Sequence, residues 1–104
     1  MITETFESLA KDFPWGSLQY FTATMPIEIA GIRLLLIPCK DKYAGNIVVR
    51  LSPEVRPTNA KSLVALAAVA IAGEKNSDFK IIKGIDKQSK EPLLYLNKKS
   101  VSDE

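Results

Sequence analysis

The sequence predicts an α+β fold: an antiparallel sheet of about five strands with two helices, in the order α-β-β-β-α-β-β. Three observations predict it. Apolar residues recur at helical spacing over 3–13 and fill every side of 63–72. Five other segments are short, rich in β-branched or aromatic residues, and bounded by turn formers. Two of these segments are separated only by Ala30-Gly31, a spacing that suits a tight hairpin.

In the first helix, 3–13, Ile2, Phe6, Leu9, Ala10 and Phe13 share one side. Thr3 is the expected N-cap. Glu4 and Glu7 fall in the first turn, where the helix dipole favours acids. Pro14-Trp15-Gly16 ends the helix. Residues 17–29 read as a strand returning through Ala30-Gly31 into 32–38, so that Glu28 faces Arg33 and Ile27 faces Leu34. This register puts Phe21, Ala23, Met25, Ile27, Ile29, Ile32, Leu34 and Leu36 on one uniformly apolar face, which predicts the core side. The other face holds Tyr20, Thr22, Thr24, Glu28, Arg33, Leu35 and Ile37, a mixture that suits a partly solvated face.

Residues 40–46 form a turn and 47–51 a third strand, with Ile47, Val49 and Leu51 inward and Arg50 on the mixed face near Arg33. After the irregular stretch around Pro53 and Pro57, Thr58 or Asn59 caps a helix over 59–72, and Gly73 stops it. Residues 79–85 and 92–97 are the last strands, joined by the polar turn 86–91, with Pro92 at a strand start where a missing donor is tolerated. The domain spans 1–97, and 98–104 reads as a C-terminal tail. This element order is similar to the start of the small chaperones of bacterial type III secretion. The resemblance covers element order only and implies a fold, not a function.

Composition narrows the chemistry. The 104 residues suit one domain, and 46% apolar with 25% charged residues is ordinary for a globular chain. Histidine is absent and Cys39 is the only cysteine. Histidine-dependent triads, histidine metal sites and internal disulfides are thereby excluded. Cys39 has Lys40 and Lys42 nearby but no base to work with, and reads as a small core residue. The five glycines are scattered and form no phosphate loop. Carboxylates such as Glu28, Asp41 and Glu54 form no paired motif. We therefore expect neither cofactor, nor metal, nor catalysis. The residues before Ala10 carry acids and no basic residue, unlike a signal peptide. The longest apolar run, 63–72, is half the length needed to span a bilayer. A cytoplasmic location is expected.

Three surfaces are candidates for function. Tyr20, Glu28, Arg33 and Arg50, set among Leu35, Ile37 and Val48, would form a recognition face, since arginine and tyrosine are enriched at binding hot spots; a simple cross-strand ion pair is the competing account. The helix at 59–72 is apolar all round, so a second cover is needed. Either the first helix or the loop 52–58 supplies it, or Val64, Ala65, Ala68 and Ala72 meet a second copy in a homodimer. From Lys75 to Lys99, seven lysines stand against three acids, a net of +4. Lys80, Lys83, Lys87 and Lys90 could then contact nucleic-acid phosphates, or could simply solvate a sheet edge. The leading expectation is a small homodimeric protein-binding module, an adaptor, chaperone or inhibitor. A nucleic-acid-binding accessory protein is the alternative.

Overall fold

The computed structural model describes residues 2–20 and 22–99. The order of helices and strands is the predicted one: α1 (Ile2–Leu9), β1 (Met25–Ile29), β2 (Ile32–Pro38), β3 (Ile47–Leu51), α2 (Ala60–Glu74), β4 (Phe79–Ile85) and β5 (Pro92–Lys98). All five strands form one antiparallel sheet in the order β1-β2-β3-β5-β4. The chain therefore leaves the centre of the sheet after β3, crosses through α2 to the far edge, and folds back so that β5 fills the gap.

The hairpin register is the expected one, with Glu28 opposite Arg33 and Ile27 opposite Leu34. Ala30 and Gly31 both take positive φ, 54° and 80°, the twist that a two-residue hairpin turn requires. The strand is shorter than the sequence suggests, however. Residues 15–20 form a 3-10 turn, and Thr22, Ala23 and Thr24 are exposed and outside any strand. Two causes override the β propensity of this stretch. β2 ends at Pro38, so the register leaves most of 17–24 with nothing to pair. The 3-10 turn instead carries Leu18 into the core beside Phe13, whose ring lies 4.3 Å from that of Trp15. Phe21, expected on the core face, lies outside the described residues.

One face of the sheet makes the core. Ile29, Leu34, Leu36, Ile47, Val49, Leu51, Leu94 and Leu96 are buried there under Leu66, Val69 and Ala70 of α2, with Phe13, Leu18 and Phe79. Asn59 is the cap: its side chain accepts from the Lys61 amide at 2.8 Å. The buried Ser62 hydroxyl donates to the carbonyls of Arg56 and Asn59, each at 2.7 Å, so no polar atom is stranded there. Gly73 does not stop the helix. It lies inside α2 because the neighbours come close: a Cβ there would sit 2.8 Å from both Ile81 and Trp15. α1 is shorter than 3–13 and packs against α2, with Glu7 paired to Lys75. The capping role expected of Thr3 concerns a side chain outside the described set. β5 extends through Lys98, and the Lys99 amide donates to the Asp78 carbonyl, so residues 98 and 99, expected in the tail, are tied to the sheet; the rest of that expected tail, 100–104, lies outside the described residues.

Candidate functional site

The second face of the sheet is covered by neither helix. Its side chains follow from the registers. Ile37 of β2 stands opposite Val48 of β3, Val48 opposite Tyr95 of β5, and Tyr95 opposite Ile82 of β4. One cross-strand row of four apolar side chains thus runs over four strands. Ile37 and Val48 are half-buried, and Tyr95 and Ile82 are exposed. The next row is Pro26, Leu35, Arg50, Leu93 and Gly84. Gly84 lets a neighbouring ring come close at this position. A Cβ would lie 2.7 Å from the Tyr95 ring and 3.3 Å from the Leu93 side chain, so the tyrosine leans over the glycine.

Charges border the rows and are mostly neutralised within the face. Arg50 is half-buried and reaches Asp86 at 3.2 Å and Glu91 at 2.9 Å, clasping both ends of the β4–β5 turn. Asp86 also accepts from the amides of Ser89 and Gln88, at 3.0 and 2.8 Å. These two amide bonds, assisted by Arg50, hold its carboxyl below the ordinary value of 3.8. Arg33 pairs with Glu54 at 3.1 Å and more loosely with Glu28 at 3.9 Å. The Ser52 hydroxyl donates to Glu54, which is the main reason its pKa is lowered, with Arg33 contributing less.

The structure thus brings Glu28, Arg33 and Arg50 onto one open face, with Leu35 opposite Arg50 on the adjacent strand. Tyr20 is not among them; it belongs to the 3-10 turn and is exposed there, because that segment is not a strand. The tyrosine of this face is Tyr95, which the sequence reading missed together with Ile82 and Leu93. Only the β3–β5 pairing places them, and that pairing joins strands far apart in sequence.

The α2 surface is also corrected. Ala65 and Ala68 are fully buried within the single chain and Ala72 is partly covered, on the side of α2 where Lys75 meets Glu7 of α1. Of the four residues expected at a subunit interface, Val64 alone is exposed. The first helix is the cover. Lys80 and Lys83 lie three apart on a strand and so on opposite faces, while Lys87 and Lys90 sit in the turn. The four lysines do not form one stripe on a single face. Cys39 is half-buried at the end of β2. Among the described residues no group of three or more His, Cys, Asp or Glu could hold a metal, and no helix is long and apolar enough to cross a membrane.

No family model matches this chain, and searches of curated proteins and of solved structures return no match.

Proposed function

We propose that this chain is a small protein-binding module that acts by recognition, through the open face of its sheet. The observation that supports this most directly is the apolar row Ile37–Val48–Tyr95–Ile82 on a face that neither helix covers. Soluble proteins seldom leave continuous apolar rows in water without a use for them. The surroundings suit a binding patch: an aromatic anchor at the centre, aliphatic neighbours, and a rim of polar groups. Arg50 and Arg33 are already paired with carboxylates, so a partner meets the apolar stems of fixed side chains rather than free cations. Desolvating the row then supplies the driving force, and the paired rim sets the orientation.

The test is a comparison of captured proteins. Wild-type chain and a Val48→Asp/Tyr95→Asp variant are immobilised in equal amounts after their thermal unfolding has been matched. The expected result is one or more proteins retained by the wild type and lost by the variant, with affinity reduced by about tenfold or more. Identical retention by both would remove the open face from consideration.

A further inference from the structure

The two edges of the sheet are built differently. β1 is five residues long and contains Pro26, which lacks a donor; such an edge resists further pairing. β4 is seven residues long, contains no proline, and carries the exposed Ile85 as well as Ile82, the outer member of the apolar row. Among the described residues no strand pairs with its outer side. Beside it, on the flank of α2 away from α1, lies a mainly apolar cleft of about 190 Å³, whose lining includes Leu63, Leu66, Ala67, Ala70 and Leu94 together with Lys83 of β4. That volume is below the roughly 300–1,000 Å³ of small-molecule sites, and it suits one large side chain. Leu63 remains exposed.

The charge at this edge selects the occupant. Lys80, Lys83, Lys87, Lys90 and Lys98 make no ion pair among the described residues. Two of the three acids in the hairpin, Asp86 and Glu91, are held by Arg50 and do not neutralise them. A second copy pairing through β4 would bring two lysine-rich edges together, and the β1 edge is blocked by Pro26. We propose that the free edge of β4 and the cleft beside it capture an extended acidic segment of another protein, which adds as a sixth strand and places an apolar side chain in the cleft. Main-chain hydrogen bonds would hold the segment, the cleft would read one side chain, and the lysines would select acidic neighbours. The inference rests on the protein-binding reading but uses the strand edge and the cleft, which share only Ile82 with the apolar row.

The test uses the whole chain, labelled for NMR, and a blocked peptide of about eight residues alternating glutamate and valine with a central leucine, long enough to pair along a strand. The expected result is shifts and slowed amide exchange confined to 79–85, with methyl shifts at Leu63 and Leu66. Binding should weaken with salt and fall about tenfold in a Lys80→Glu variant, an exposed position of β4 outside the cleft lining. A peptide with lysine for glutamate should not bind. Shifts at Ile37, Val48 and Tyr95 instead would overturn the edge site while leaving the open-face reading standing. No binding at low salt would overturn it as well. So would an oligonucleotide that shifts the same lysines at lower concentration than the peptide, since the edge would then be a phosphate-contacting surface.

Discussion

Ala30 occupies the left-handed region at φ 54°, where a Cβ is crowded and glycine is not. Its place in the turn was legible because only two residues separate the alternating runs on either side; its strain was not, since alanine carries no sign of it. Ala30→Gly should raise stability by about 0.5–1 kcal/mol, read as a higher urea midpoint with an unchanged slope; a lower midpoint would mean that the turn is not strained. Arg50 gives the opposite lesson. Its face was legible from the alternation of 47–51, but its partners Asp86 and Glu91 lie beyond α2, and only the folded sheet brings them near. Because the Asp86 carboxyl is held below its ordinary 3.8, its contribution to stability is present above that value and is lost as pH falls through the lower folded value. Acid titration of the unfolding midpoint should therefore show a steeper decline for wild type than for Asp86→Asn. Parallel curves would show that the turn does not depend on this charge.

At the scale of elements, α2 declared itself through Asn59 and a run of apolar residues, and its all-round apolarity correctly demanded a second cover. What the run could not say was which cover. α1 supplies it, and Ala65 and Ala68 are sealed inside the chain. Ala68→Glu should consequently act as a buried, unpaired charge and destabilise the folded chain by about 3 kcal/mol or more, measured by denaturant unfolding. A variant that kept its stability and changed only its sedimentation would restore the helix to the role of a subunit interface. The stretch 17–24 shows the converse limit. Its Ser, Tyr, Phe and Thr content fits a strand, but a strand needs a neighbour, and β2 has already ended at Pro38. Propensity yields to pairing, and residues 15–20 instead form a turn that lodges Leu18 in the core.

At the scale of the whole molecule, strand count and helix placement were readable from periodicity, whereas strand order was not. Inserting β5 between β3 and β4 is a long-range choice, and it decides what the open face is made of. It lines up Ile37, Val48, Tyr95 and Ile82 and excludes Tyr20. The three tyrosines consequently report on three different surfaces: Tyr95 on the open face, Tyr20 on the 3-10 turn, and Tyr43 in the β2–β3 connection. All three are exposed, Tyr95 the least, at 37% against 73% and 57%. A photo-crosslinking phenylalanine derivative placed at each position in turn, and irradiated in an extract of the native cells, tests the proposed recognition surface directly. A recognition face predicts a discrete adduct with a foreign polypeptide at Tyr95, despite its lower exposure, and none at Tyr20 or Tyr43. Adducts at all three in proportion to exposure, or at Tyr20 or Tyr43 alone, would contradict it.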